Sequence, residues 1–362
     1  MSGKRFRIVA AFASALMLSA CAPSPTPDLL VPASPTSGLR MMTYNLLGAQ
    51  ADGNVYSEWA GWAARVRQLR PDILVVQEAQ ADDVGALYGL TGEYKVATYT
   101  TWECDVKGNP EGVAILVRNG LDVVGSGGGH VGGSCLDPSM RRVLVWVDLD
   151  LASGPLRVYG THLTAGGGAA AASREAQMRA IRARIVADDP AGTRRWVLAG
   201  DINAAPGSFG FRLLLGDIAS DAAPYRFVDS FAVDHPSASD PAVCPTVPND
   251  PVSMAALLAD QQHVRDCGYT SGWPKDDNLL GCDLLSLCTS WERRRDLSVR
   301  ERIDYVLFAE GAPIEVRWTF VPNRSDPDWA AVGSEWFRLS DHLPYVVDLQ
   351  IGSGDLPDQP AS

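Results

Sequence analysis

The stretch Trp196-Val197-Leu198-Ala199-Gly200-Asp201-Ile202-Asn203 decides how the rest of the chain is read. Its apolar run, Val197 to Ala199, reads as a short strand buried on both faces. Gly200 permits a tight backbone exit at the carboxyl end of that strand. Asp201 and Asn203 are two residues apart, so continued extended geometry aims both at one side of the strand tip. A carboxylate and an amide placed there can hold a hard divalent cation, a phosphate or an attacking water. They can equally do no more than close the strand with an Asx turn.

Working outward, the same arrangement recurs. Leu39 to Tyr44 reads as a first strand that ends at Asn45. Residues 58–70 place Trp59, Trp62, Ala63, Val66 and Leu69 on one helical face, and Pro71 stops that helix. Ile73 to Val76 is a second buried strand with Glu78 just past it. Glu111 precedes a strand at 112–117, and the glycine-rich stretch 125–134, with His130, reads as a loop. Arg141 and Arg142 open a strand at 143–149. Leu156 to Gly160 is a strand that delivers Thr161-His162-Leu163. A helix is expected from Ser173, as N-cap, to Val186. Arg302 to Phe308 returns to strand pattern, with Asp304 inside an apolar stretch where an unpaired carboxylate is expensive. Ser340-Asp341-His342 supplies a histidine as its partner, just before a final strand at 345–349.

The chain is 362 residues long and 46% hydrophobic, enough for one large domain or two smaller ones. Its formal net charge is -12, which excludes a nonspecific basic coat for nucleic acid, though not a local basic patch. A basic start, residues 1–7, leads into a short apolar run at 8–18, the pattern of a secretory signal. The run ends Leu18-Ser19-Ala20-Cys21, which resembles the bacterial lipobox, and that resemblance makes Cys21 the lipidated amino terminus. The expected organisation is therefore a signal at 1–20, a lipidated Cys21 with a Pro/Ser/Thr-rich tether at 21–38, one domain at 39–351, and a disordered tail at 352–362. The protein is expected to be exported and anchored to the extracytoplasmic face of a bacterial membrane. Beyond Cys21, six cysteines remain. Their spacing suggests the pairs Cys104 with Cys135, Cys244 with Cys267 and Cys282 with Cys288, one of fifteen possible connectivities. No close Cys-x-x-Cys pair appears, which disfavours zinc. Residues 217–300 read as a disulfide-stapled, loop-rich insertion containing the cluster Arg293-Arg294-Arg295.

Taken in order, the segments Thr43-Tyr44-Asn45, Val76-Gln77-Glu78, Gly160-Thr161-His162, Gly200-Asp201-Ile202-Asn203, Arg302-Ile303-Asp304-Tyr305 and Ser340-Asp341-His342 resemble the endonuclease/exonuclease/phosphatase superfamily. Its members include pancreatic-type deoxyribonucleases, abasic-site endonucleases, neutral sphingomyelinases, inositol polyphosphate 5-phosphatases and cytolethal distending toxin subunits. The resemblance runs from about Leu39 to Ile351. It implies a four-layer α/β sandwich of the deoxyribonuclease I type, two packed mixed sheets flanked by helices.

It also implies a metal-dependent phosphoric ester hydrolase. Asn45 and Glu78, assisted by Asp341, are the expected Mg2+ site, with Mn2+ or Ca2+ as alternatives. His342 is the expected general base, with Asp304 to orient it, and the aspartate Asp201 is the alternative for that role in such families. Asp201 and Asn203 are expected to position water and phosphate, and His162 to donate to a phosphoryl oxygen. Glu111 matches a histidine-pairing acid of deoxyribonuclease-like members, and Arg141 a phosphate-contacting arginine that Arg142 could replace. The favoured substrate is a nucleic-acid phosphodiester, with no obligate protein partner. A sphingomyelinase or phospholipase C type enzyme, or a phosphoinositide phosphatase, is the alternative. A binding lipoprotein that has lost catalysis is a third reading, opposed by the intact polar set.

Overall fold

In the strand Trp196–Asp201, Val197 and Ala199 join a core with Val75, Val113, Val145 and Val347. Trp196 and Leu198 face the other way, packed with Met178, Ile181 and Leu214. Alternate residues thus serve two separate cores, as a strand buried on both faces requires.

The computed structural model describes residues 38–46, 59–102, 110–132, 141–218, 224–248, 252–253, 256, 259–273, 298–322, 340 and 342–352. The segments expected as leader and tether, Cys21, Cys104, Cys135, Cys282, Cys288, Asp341 and the cluster 293–295 lie outside the described residues.

Fourteen strands are described. They are β1 (Leu39–Asn45), β2 (Ile73–Gln80), β3 (Tyr94–Thr101), β4 (Glu111–Arg118), β5 (Asp122–His130), β6 (Val143–Leu151) and β7 (Gly154–His162). Then follow β8 (Trp196–Asp201), β9 (Phe227–Asp229), β10 (Ser271–Trp273), β11 (Ser298–Glu301), β12 (Asp304–Ala309), β13 (Ile314–Phe320) and β14 (Tyr345–Ile351). One six-stranded sheet has the order β13-β14-β1-β2-β4-β3, the other β5-β6-β7-β8-β12-β9. Each contains one parallel pair, β1 with β2 and β7 with β8; its other pairings are antiparallel. A parallel pair needs a crossover, supplied by helix α1 (Trp59–Leu69) in the first sheet and α3 (Ala169–Asp188) in the second. The sheets pack face to face and helices cover the outside, the four-layer sandwich. No helix among the described residues is long and apolar enough to cross a membrane.

Several elements differ from the sequence expectation. Residues 125–130 form most of strand β5 rather than a loop. A Cβ on Gly127 would lie 3.0 Å from the Trp146 ring, and one on Gly128 2.6 Å from Thr100 Oγ1. The glycines therefore mark close packing of an edge strand, not freedom of a loop. Helix α3 starts at Ala169, not Ser173, because the alanine run is itself strong helix former. Helix α2 (Ala81–Thr91) and strand β3 were hidden by Gly85 and Gly89 and by a mixed threonine-rich pattern. The region 217–300 is not only loop: β9 completes an edge of the second sheet, and Cys244 and Cys267 form a disulfide across a separation of 23 residues. Gly352, expected to open the tail, is held by Pro313 and Arg195.

Candidate active site

Both parallel pairs end on the same side of the sandwich, and their last residues meet there. Asn45 ends β1 and Asp201 ends β8 beside His162 at the end of β7. Glu78 does not follow β2 but lies within it, at a bulge where Gln77 and Glu78 together oppose Val113. Its φ of 50° puts it in the left-handed region that non-glycine residues avoid. The bulge turns Glu78 toward Asn45, while the buried Gln77 ties the strand ends together through Thr43.

Gly200 is not the exit from its strand. It stays in register with Thr161 and Tyr305, and a Cβ there would sit 2.0 Å from the Thr161 carbonyl oxygen. Only glycine lets β7 and β8 approach closely enough to bring His162 beside Asp201. The chain leaves extended geometry at Asn203, whose φ is 53°. Its N–H donates to Asp201 Oδ1 at 2.8 Å, so the Asx turn is present. The turn also delivers the amide to the site: Asn203 Nδ2 donates to Leu163 O at 2.9 Å and lies 3.1 Å from His162 Nε2.

Asn45 Nδ2 donates to Glu78 Oε1 at 2.9 Å and to Asp201 Oδ2 at 3.2 Å, linking the two sheets. His162 Nε2 lies 3.5 Å from Asp201 Oδ2 and 3.8 Å from Glu78 Oε1. His342 Nδ1 donates to Asp304 Oδ2 at 2.8 Å, and its Nε2 lies 3.7 Å from Asp201 Oδ2. Asp304, directly across from Asp201 in the β8–β12 register, thus finds the histidine its buried position demands. Arg302 and Tyr305 serve structure. Arg302 is buried against Asp229, and the Tyr305 hydroxyl donates to the carbonyls of Ala204 and Arg302.

Burial pushes Asp201 up to about 8, with Asp304 and Glu78 adding to the rise and His342 and the Asn203 N–H opposing it. Burial, then the charges of Arg142 and His342, pushes His162 well below the usual histidine value, so it is neutral at physiological pH. Glu78, Asp201 and Asp304 therefore crowd one small region, and Asp304 Oδ1 is buried with no hydrogen-bond partner among the described residues. Such a cluster fits a divalent cation with oxygen ligands. Asp201, Asp304 and His342 could themselves surround an ion, but His342 Nδ1 and Asp304 Oδ2 are already bonded to each other. Glu78 with Asn45 leaves the Asp304–His342 bond intact and offers oxygen atoms, which a hard cation prefers, at the cost of the Asn45–Glu78 hydrogen bond.

The two adjacent arginines have different surroundings. Arg141 reaches the ring of His130, on the outer side. Arg142 feels Glu78, Asp201 and Glu111, and its guanidinium lies 4.8 Å over the Trp102 ring. Trp102 in turn meets His162 edge-on at 5.3 Å. Glu111 opens β4 near Arg142 and is not the hydrogen-bond partner of His162, whose Nδ1 has none among the described residues. Sequence reasoning missed Trp102 and Thr270. Trp102 follows strand β3, whose mixed threonine-rich pattern carries no clear period, and Thr270 sits in the loop-rich, cysteine-bearing region.

Residues 42–342 match the Endonuclease/Exonuclease/phosphatase family, and the chain belongs to it. Solved structures with the same fold include an endonuclease/exonuclease/phosphatase from Bacteroides vulgatus, 16% identical with a TM-score of 0.54, covering 87% of this chain and 99% of that one. A mannosyl-6-phosphatase from Bacteroides thetaiotaomicron is 16% identical with a TM-score of 0.51, covering 86% and 99%. TDP2 from D. rerio, complexed with single-strand DNA product, is 15% identical with a TM-score of 0.51, also covering 86% and 99%. No curated protein matches the chain.

Proposed function

We propose that the protein is a divalent-metal-dependent phosphodiesterase of nuclease type, exported and anchored to a membrane through lipid on Cys21. The observation that carries the catalytic part is the meeting of Asn45, Glu78, His162, Asp201, Asn203, Asp304 and His342 where the two sheets' parallel pairs end. Glu78 and the side-chain amide oxygen of Asn45, with Asp341, would hold Mg2+, or Mn2+ or Ca2+. The cation supplies Lewis-acid stabilisation of charge on the phosphoryl oxygens. His342, held by Asp304, takes the proton from the attacking water through Nε2, the atom that faces Asp201. Asp201 orients that water. Arg142 and Asn203 contact phosphoryl oxygens, and neutral His162 adds a hydrogen bond without adding charge. Arg142 takes the phosphate role ahead of Arg141, because it faces the carboxylates. Glu111 lies near enough to Arg142 to balance its charge, and it does not pair with His162.

A second reading, a sphingomyelinase, phospholipase C type or phosphoinositide phosphatase activity, is favoured by the net charge of -12. The purified full chain should be assayed with Mg2+ and with chelator on plasmid DNA, RNA, sphingomyelin, phosphatidylinositol phosphates and a bis-aryl phosphodiester. Chelator-sensitive nicking of plasmid is the expected result. Release of lipid head groups without nicking would move the substrate to the membrane. Silence across the panel from a folded, metal-loaded protein would overturn the catalytic reading in favour of a binding lipoprotein. Labelling of Cys21 by a fatty-acid probe tests the anchor.

A further inference from the structure

Asp304 and His342 come from different sheets: Asp304 opens β12 and His342 lies just ahead of β14. No direct strand pairing joins β12 to β14. Their hydrogen bond therefore depends on whatever fixes one sheet's strand entrance against the other's. Thr270 occupies that place. Its N–H donates to Glu301 O at 3.0 Å, and its carbonyl accepts from Leu343 N at 2.7 Å. Its Oγ1 accepts from the N–H groups of Ile303 and Asp304, both at 3.3 Å. The next residue, Ser271, forms a bridge with His342 itself. Each polar group of Thr270 thus holds the segment bearing Asp304 or the segment bearing His342, and the residue is fully buried.

The segment is itself anchored. The helix Gln261–Cys267 ends at Gly268, and the disulfide to Cys244 fixes Cys267. The Tyr269 hydroxyl donates to Pro245 O at 2.5 Å. Those ties keep Thr270 between the two sheets.

We propose that Thr270 is the positioning residue that sets Asp304 and His342 at hydrogen-bonding distance. The proposal rests on the reading of that pair as the acid–base machinery. It acts through two buried amides whose acceptor is a side chain, so removing the hydroxyl leaves both N–H groups unmet and lets the β12 entrance shift. Serine keeps the hydroxyl and valine keeps only the shape.

The test compares full-length wild type, Thr270→Ser and Thr270→Val. The readouts are kcat and KM on whichever phosphodiester the wild type cleaves, and the deshielded NMR resonance of the His342 Nδ1 proton. Thr270→Val should lower kcat by roughly tenfold to a hundredfold with KM little changed, as a misplacement of catalytic groups does. It should also lose or shift that resonance, while Thr270→Ser retains both. A folded Thr270→Val with wild-type kcat and an unmoved resonance overturns the proposal and leaves the function standing. A wild type that cleaves no phosphodiester but whose resonance responds to Thr270→Val sinks the function and leaves the positioning role. If Thr270→Val does not fold, hydrogen exchange of the Ile303 and Asp304 amides in wild type decides. Strong protection supports the acceptor role of Thr270, and exchange as fast as in an exposed loop refutes it.

Discussion

The first sheet brings Asn45 and Glu78 to the site from adjacent parallel strands; the second brings His162 and Asp201 from its own adjacent parallel pair. The plan is the same and the execution differs. In the first sheet the acid is displaced by a bulge, and the Glu78 side chain keeps 15% of its exposure. In the second the acid stays in strict register behind a glycine, and Asp201 keeps 1%. A partly exposed carboxylate can meet an arriving cation while still hydrated. A buried one loses its charge unless a partner restores it. On the proposed mechanism, the first sheet would capture the cation and the second would orient the reacting groups. His342 stands between them: its chain segment enters the first sheet and its partner Asp304 belongs to the second.

The severest break in that division is His342→Ala. Loss of a general base should cost roughly a hundredfold to ten-thousandfold in kcat without unfolding the protein, and unchanged turnover would end the acid–base assignment. Glu78→Gln should act on the cation instead. Activity should need on the order of a hundredfold more Mg2+ for half-saturation, with much of kcat recoverable. An Mg2+ requirement unaltered in that variant would place the cation elsewhere.

Gly200→Ala probes the close approach that makes the second half possible. A methyl group 2.0 Å from a backbone oxygen cannot be accommodated, so a loss of about 3 kcal/mol or more is expected in denaturant unfolding. The contrast is Gly89→Ala in α2, where nothing lies within 4 Å and helix propensity should add about 1 kcal/mol.

The metal-free protein should show the burial of Asp201 as a pH dependence of stability. The folded-state value of Asp201, about 8, is above its ordinary value of 3.8. Between those limits the folded protein binds more protons than the unfolded chain, so stability falls as pH rises through that window. Asp201→Asn should flatten the fall in chelator-treated protein. Cation binding at pH 7 should release a proton in wild type and not in that variant, measurable by calorimetry in buffers of different ionisation enthalpy. A fall of equal slope in both proteins would mean that another group carries the effect.

What could be read in advance follows the range of the interactions involved. The apolar run 197–199, the helix of Trp62 and Leu69, and the polar residues that close each strand are local signals, so their element types were visible. Strand β5 is not legible locally, because glycine permits both a loop and a strand packed close to an indole, and only the neighbouring Trp146 and Thr100 decide between them. The same holds for Arg141 and Arg142. Adjacent in the chain, they are separated in role by the placement of Trp102 and the carboxylates.

Which residue types stand at the strand ends, and in what order, is legible along the chain, because side-chain alternation and turn chemistry act over a few residues. Packing of distant strands is what makes a bulge swing Glu78 toward Asn45. It alone decided that Asp201 faces Asp304 across a register, and that a threonine in the least legible segment braces the histidine's partner. Those are contacts between strands far apart in the chain. Their geometry is set by how two sheets pack, which no local pattern encodes.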